Sequence, residues 1–282
     1  MPLRIFSERT NVAAVSVSFF HGLVFLSGAY YLPLYFQSVL GATPLLSGVY
    51  LLPFALTFSC CLLVTGIFIK KTGKYLPPLY FGLVLMILGW GLFIDLPNSK
   101  SWAKVVLYQI VAGLGAGPIF NAPLLALQTM VEPRDIATAT STFFFARVLS
   151  NAVSVVVGGA IFQNEMQKRS STLIAALGPD LASELSGGSA SANVRLISQL
   201  PAAQQQIVRT AFWQSLRILW IVFTSFAGVT LFAGLFIVHK KLSTQYTAAK
   251  TGLKAEEENR QQLLEKNKAG NTADGLEKGE GI

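Results

Sequence analysis

No Asp, Glu, Lys or Arg occurs between Arg9 and Lys70, a stretch of mostly apolar residues in which His21 is the one group that titrates near neutral pH. A helix of a water-soluble domain needs a charged, solvated face, and this stretch cannot supply one. A membrane-spanning helix needs about 20 apolar residues, so the stretch has room for two spans and a turn. We therefore predict a membrane protein whose function lies in the few polar groups inside the lipid.

The composition of the 282-residue chain agrees, with 52% hydrophobic and only 13% charged residues. The net charge of +8 raises nucleic acid as an alternative partner. The basic residues lie at the ends of apolar runs, where lipid headgroups are expected, so membrane topology explains them and no nucleic acid partner is predicted. Cys60 and Cys61 are interpreted as small core residues, and the sequence contains no motif for a metal site, a cofactor or an enzyme active site.

Turn residues between the apolar runs predict an all-α fold, a polytopic membrane protein built as a six-helix transmembrane bundle. The predicted spans are residues 12–33, 47–69, 77–95, 104–130, 138–162 and 212–238. Five spans thus fall within 12–162, after a cytosolic lead-in at residues 1–11. Residues 163–211 are expected to form a long extracellular loop, and residues 239–282 a disordered cytosolic tail.

The basic residues predict the orientation of the bundle. One side of the membrane collects a basic set: Arg4, Arg9, Lys70, Lys71, Lys74, Arg134, Lys240 and Lys241. The other side has no charge in its first loop and only Asp95, Lys100 and Lys104 in its second. Cytosolic loops carry an excess of Lys and Arg, so the first side and both termini are predicted to face the cytosol. The long loop at 163–211 also contains basic residues, but long loops count for less in this rule.

Arg147 is the most notable polar group within a predicted span. It lies ten residues into the helix from Ala137, which places it about 15 Å deep, close to the midplane. An arginine at that depth costs about 2.5–3.5 kcal/mol on insertion scales. Two interpretations stay open: the arginine has a structural role, in which it snorkels toward the interface or binds the carbonyls of a neighbouring helix, or it lines a solvated cavity or substrate pathway. Small or polar residues share its helix face: Ser150, Asn151, Ser154 and Gly158.

The fourth span shows a second pattern of polar and small residues. Gln109, Gly113, Gly117 and Asn121 recur every four residues, and Pro118 and Pro123 remove backbone donors from the same helix. Glycines at such positions let another helix approach closely.

Counting from the cytosolic ends places His21, Asn121 and Arg147 at one depth, near the midplane. Broken helices with polar groups at the midplane are typical of transporter sites. The alternative for each of these residues is a packed structural role.

Several segments together resemble the carboxy-terminal half of major facilitator transporters. They are Pro2–Phe6, Tyr30–Gln37, Pro44–Pro53, Thr72–Tyr75, Gly113–Pro118, Asp135–Arg147 and Gly158–Phe162. The match covers about residues 2–240 and is closest to fungal fourteen-span drug:proton antiporters, a group that includes toxin efflux pumps.

The resemblance implies half of a transporter that works by alternating access, without ATP. It implies that the partners are a small organic substrate, protons, the lipid bilayer, and a missing amino-terminal half or a second copy of the chain. His21 is then the candidate for proton coupling. The candidate substrate-binding residues are Arg147, Asn121, Gln109, Asn151, Tyr31 and Phe120.

The favoured function is proton-coupled efflux of small organic molecules such as drugs, toxins or secondary metabolites, with the plasma membrane as the expected location and the vacuolar membrane as an alternative. An uptake permease on the same scaffold and a non-transporting regulatory or assembly protein remain open. A membrane enzyme fits least, because no paired carboxylates or metal ligands lie at a suitable depth.

Overall fold

The computed structural model describes residue 6, residues 8–238 and residue 240, and every regular element within these residues is helical. The α-helices are α1 Arg9–Ser38, α2 Pro44–Tyr50, α3 Leu52–Thr72, α4 Leu76–Phe93, α5 Trp102–Met130, α6 Ile136–Lys168, α7 Ser170–Leu177, α8 Pro179–Glu184 and α9 Ala202–Gly234. Apart from residue 240, the tail predicted for residues 239–282 lies outside the described residues, as does Arg4.

Six of the described helical segments are long and apolar enough to cross a membrane: α1, α2 with α3, α4, α5, α6 and α9. The predicted fold class, an all-α six-helix membrane bundle, is therefore confirmed. The second span is interrupted at Leu51, between α2 and α3. Pro53 has no backbone N–H to donate to the carbonyl of Val49, so one helical hydrogen bond is missing at this point.

Sequence signals set several of the helix ends. The Thr43 hydroxyl accepts a hydrogen bond from Leu46 N at 3.3 Å, which caps the start of α2. Gly73 ends α3 with a φ of 68°, a left-handed conformation that glycine adopts at no steric cost, and its N–H donates to the Ile69 carbonyl at 2.8 Å.

Much of the segment at 163–211, predicted as a long loop, is helical, including most of the stretches 163–177 and 201–212, whose composition favours a helix. Helix α6 continues to Lys168 and α9 begins at Ala202, because a helix can extend in polar sequence beyond the apolar run that crosses the lipid. Between them, Leu173 of α7 and Ala182 of α8 are buried, as is Leu185. The segment is thus a packed cap on one end of the bundle, and its extracellular location remains a prediction.

Helices α1 and α5 form the interior of the bundle. Helix α1 packs against α5, α6 and α9, and α5 also packs against α3 and α4. Helices α3 and α6 bury few residues and turn large apolar side chains outward, among them Leu63 and Val148, both 67% exposed. Residues brought together between α1, α5 and α6 therefore lie inside the bundle.

The α4–α5 contact depends on glycines. A side chain at Gly115 would collide with the backbone of Met86, and one at Gly89 would collide with the backbone of Ala112. Two backbones can approach this closely only where no Cβ intervenes, which is how membrane helices obtain much of their packing energy.

Replacing Gly115 by alanine should therefore destabilise the bundle. We expect Gly115→Ala to lower the free energy of unfolding by about 1–3 kcal/mol, because the new methyl group must push α4 away from α5. Gly66→Ala is the matched control, since Gly66 is also helical but nothing lies within 4 Å of its Cβ position. A thermal unfolding series in detergent should show a lower melting temperature for Gly115→Ala alone; equal temperatures would contradict the packing argument.

Candidate functional site

His21 lies in the middle of α1 and is fully buried where α1, α5 and α6 meet. Its Nε2 atom is 3.1 Å from the carbonyl oxygen of Ala116 on α5. Its Nδ1 atom is 3.5 Å from Nη2 of Arg147 on α6. One imidazole ring thus connects the central helix to both of its neighbours.

The two partners of the ring define its protonation state. The Ala116 carbonyl can only accept a hydrogen bond, so Nε2 must carry a proton and donate it. The Arg147 guanidinium can only donate, so Nδ1 must present its lone pair. His21 is therefore the neutral Nε2–H tautomer in this arrangement, and a second proton on Nδ1 would set two donors against each other.

Arg147 enters the same junction from α6 and is only 6% exposed. Its Nη1 donates to the carbonyl oxygen of Phe120 at 3.4 Å. The guanidinium carbon lies 4.0 Å from the ring centroid of Phe120 and 5.1 Å from that of Phe143, so two aromatic faces stabilise the cation. The Nε atom is buried and has no hydrogen-bond partner among the described residues.

No carboxylate neutralises Arg147 in the part of the chain that the structure describes. Glu165 is the only acidic residue in the six spanning segments from their first to last α-helical residue, and it pairs with Lys168 at 2.6 Å and Arg169 at 2.8 Å. It also lies 18 residues beyond Arg147, about 27 Å along the helix. The junction therefore holds a buried cation that depends on one neutral ring, one carbonyl and two aromatic faces.

Small and hydroxyl residues bring α1 and α6 close enough for this contact. The Ser154 hydroxyl donates to the Leu23 carbonyl at 2.6 Å, and the Ser150 hydroxyl donates to the carbonyl of Arg147 in its own helix at 2.7 Å. A side chain at Gly22 would collide with Ser150. The stripe of small residues predicted on α6 therefore serves as the packing seam against α1.

An aromatic surface adjoins the junction on the side of α3. It comprises Phe25, Phe58 and Phe120, each half-buried, with ring centroids 4.8 Å apart for Phe25 and Phe58 and 5.7 Å apart for Phe58 and Phe120. The ring of His21 lies 5.9 Å from that of Phe25. Half-exposed rings beside a few polar atoms are typical of sites that take small apolar ligands.

A proline inside α5 leaves a backbone carbonyl free to accept a hydrogen bond from another helix. Pro118 has no N–H, so the carbonyl of Leu114 loses its usual donor within the helix. The Cys61 thiol of α3 donates to that carbonyl at 3.5 Å. Cys61 is half-buried, whereas Cys60 is exposed, so the interpretation of Cys60 as a core residue is wrong: its position on α3 faces outward from the bundle.

The structure brings together three of the seven predicted site residues: His21, Arg147 and Phe120. Asn121 follows Phe120 and is half-buried, and its side-chain amide makes no hydrogen bond to any residue that the structure describes. Asn151 lies one helical turn beyond Arg147, with its Oδ1 3.3 Å from the point where a Cβ of Gly22 would lie. Asn121 and Asn151 thus flank the junction.

Tyr31 and Gln109 lie apart from it. Tyr31 is ten residues beyond His21, about 15 Å along α1, and its hydroxyl donates to the Val155 carbonyl at 3.2 Å. Gln109 is twelve residues before Asn121, about 18 Å along α5. Its Nε2 donates to the Val105 carbonyl at 3.0 Å, whereas its buried Oε1 has no partner among the described residues. Their substrate-binding role remains a prediction.

Four aromatic residues of the site were not predicted from the sequence: Phe25, Phe58 and Phe143, and Phe54, whose ring centroid lies 5.7 Å from that of Phe25. Phe25 is four residues after His21, and Phe54 and Phe58 are four residues apart, so each pair shares a helix face. This spacing was a usable signal, but apolar residues are so abundant in spanning helices that spacing alone does not distinguish a site from a lipid-facing stripe.

The chain matches the family model described as Major Facilitator Superfamily over residues 2–155. It is 45% identical over 268 residues to the MFS-type transporter ppz2 of Metarhizium majus (strain ARSEF 297), with 95% of this chain and 46% of that protein covered. It is 47% identical over 256 residues to the efflux pump dotC of Dothistroma septosporum (strain NZE10 / CBS 128990), with 91% and 44% covered. The chain thus spans about half the length of these relatives.

Among solved structures, the fold is similar to that of a bacterial homolog of the human lysosomal transporter Spinster, in an inward-facing and occupied conformation. The TM-score is 0.62 at 16% identity, with 86% of this chain and 52% of that chain covered. At this identity the likeness supports the helical architecture alone.

The unpaired state of Arg147 leads to a stability prediction. A buried charge without a counter-ion costs more than a well-packed apolar group of similar size, so Arg147→Met should leave the free energy of unfolding unchanged or raise it by about 1 kcal/mol or more. Ser154→Ala, which removes a 2.6 Å hydrogen bond in the same seam, should lower it by about 1 kcal/mol. Thermal unfolding in detergent compares the two, and a large loss of stability in Arg147→Met would show that the arginine is a structural residue.

Proposed function

This chain belongs to the major facilitator superfamily, and from that premise we propose that it forms one six-helix half of a proton-coupled exporter of small organic molecules. The observation that carries the proposal is the buried junction of His21 and Arg147 beside the aromatic surface. The sequence resemblance favours the carboxy-terminal half of a fourteen-span antiporter of the plasma membrane. A second set of spans, from a longer chain or another copy, completes the substrate cavity.

The aromatic surface supports a small, largely apolar substrate. Phe25, Phe58 and Phe120 are half-buried and offer ring faces and edges, whereas Asn121 offers an amide without an internal partner. Such a surface binds flat or apolar molecules by contact area and orients them with one or two hydrogen bonds. We propose export as the direction of transport because one of the relatives is called an efflux pump.

The His21–Arg147 contact supports coupling to protons. A proton reaching Nδ1 of His21 turns the acceptor of the Arg147 Nη2–H into a donor and adds a second positive charge 3.5 Å away. The two side chains then repel, and α6 loses one of the contacts that hold it against α1.

No titratable group other than Arg147 is in contact with the His21 ring among the residues that the structure describes, so none of them compensates that repulsion. The neighbours that α5 presents to the ring are the Ala116 carbonyl and the Phe120 ring, neither of which titrates. Phe25 on α1 faces the ring and does not titrate either. A two-state contact whose balance shifts with one proton is what coupling of a gradient to helix movement requires.

A glutamine at position 21 separates the structural from the proton-coupling role of His21. In His21→Gln the amide oxygen can accept from Arg147 and the amide nitrogen can donate to the Ala116 carbonyl, but the group does not titrate. We expect normal folding and a fall of gradient-driven efflux by about tenfold or more, because the coupling between two binding sites typically changes affinity by about 5- to 150-fold.

The measurement uses the chain joined behind the amino-terminal half of the 47% identical Dothistroma pump, expressed in a host stripped of its own exporters. Retention of an apolar fluorescent dye is followed with and without a proton gradient. His239→Gln, which removes the other histidine of the sequence, is the matched control and should retain efflux. Full gradient-driven efflux by His21→Gln, at equal surface expression, would refute the proton-coupling role.

A further inference from the structure

A polar cavity of about 290 Å³ opens at the end of the bundle where α1 ends and α9 begins, far from the His21–Arg147 junction. The end of α1 contributes Val39 and Leu40, both buried and apolar. The connection between α4 and α5 contributes Asn98, Ser99 and Lys100, and the first turns of α9 contribute Gln205 and Arg209, with Ala202 and Gln206.

The cavity walls are fixed by internal contacts. Nδ2 of Asn98 donates to the hydroxyl of Thr210 at 3.0 Å, which attaches the α4–α5 connection to α9. Arg209 lies against the turn at Gly41, where a Cβ would be 2.8 Å from its Nη2, and that nitrogen donates to Oε1 of Gln205 at 3.1 Å.

The cavity carries two positive charges and no negative one. Neither Lys100 nor Arg209 forms a salt bridge with any carboxylate that the structure describes, and no acidic residue lines the cavity. The buried Nε of Arg209 has no hydrogen-bond partner among the described residues. The nearby Asp95 is engaged by Lys104 at 2.8 Å, and this hydrogen bond, with a second from Tyr108, holds the pKa of its carboxyl below the ordinary value.

We propose that this cavity binds the phosphate of an anionic phospholipid headgroup. Two cations, the hydroxyl of Ser99 and the second Nδ2 hydrogen of Asn98 match phosphate oxygens, which accept charge-assisted hydrogen bonds. The cavity lies where apolar spans end, and Trp102, an aromatic residue 43% exposed, begins the adjoining helix. Such aromatics mark the depth of lipid headgroups.

Shape supports the same ligand. The volume is at the lower end of the range for small-molecule sites, enough for a phosphate and its glycerol. Val39 and Leu40 add apolar atoms to the lining of the same cavity.

Native mass spectrometry of the purified chain in neutral detergent tests the site. The probes are phosphatidylglycerol, phosphatidylcholine and inorganic phosphate. We expect bound phosphatidylglycerol that phosphatidylcholine does not replace. In the double variant Lys100→Gln, Arg209→Gln the affinity should be about ten- to thirtyfold lower, because each basic residue near a lipid surface contributes about fivefold to the affinity. Arg195→Gln is the matched control, an exposed arginine of the same cap that does not line the cavity.

Two further variants guard against misfolding. Arg209→Lys keeps the charge and should retain the affinity within a few fold. Lys100→Gln changes an exposed side chain, so it should weaken lipid binding without affecting folding. Displacement of the lipid by an equal concentration of inorganic phosphate would assign the cavity to free phosphate and overturn the lipid assignment. Equal binding by the double variant and by Arg195→Gln would overturn the phosphate site altogether.

Discussion

The junction of α1, α5 and α6 encloses one positive charge in the interior of the bundle. Arg147 lies near the middle of α6 with only 6% of its surface exposed and no carboxylate in reach among the described residues. At membrane depth such a charge costs about 2.5–3.5 kcal/mol even on the most lenient scale. The lone pair of His21, the carbonyl of Phe120 and two aromatic faces offset part of that cost. Close packing of α1, α5 and α6, through glycines and serines, is what makes these contacts available.

The contacts that stabilise Arg147 depend on the protonation state of His21, and the proposed function rests on this dependence. The hydrogen bond from Arg147 to His21 exists only while Nδ1 of the ring is unprotonated, so one proton converts an attraction between α1 and α6 into a repulsion. The aromatic surface of Phe25, Phe58 and Phe120 shares the ring of His21 as a neighbour. Protonation or movement of the His21 ring therefore affects the proposed substrate surface by direct contact, and no long chain of residues is needed to connect them.

Hydropathy was sufficient to predict the six spans, because a charge-free stretch such as 10–69 has no stable alternative to a membrane. Counting residues from the helix ends also placed His21 and Arg147 at one depth, and the structure brings them into contact. The same count places Tyr31 and Gln109 about 15 and 18 Å away along their helices, so depth alone argues against grouping them with the junction. Depth does not specify rotation about the helix axis, so counting could not tell which of His21, Asn121 and Arg147 would be in contact. The packed cap between α6 and α9 was missed as a folded unit because its helices are too short to show a clear period.

The protonation state of His21 tests the central claim most directly. Nitrogen-15 magnetic resonance of histidine-labelled protein, with His239 replaced by alanine so that only His21 reports, distinguishes the two ring nitrogens. Our account predicts a proton on Nε2 and a bare Nδ1 at neutral pH, with protonation of Nδ1 on acidification accompanied by a longer distance between spin labels on α1 and α6. An Nδ1–H tautomer or a doubly protonated ring at neutral pH, or protonation with no change in that distance, would contradict it.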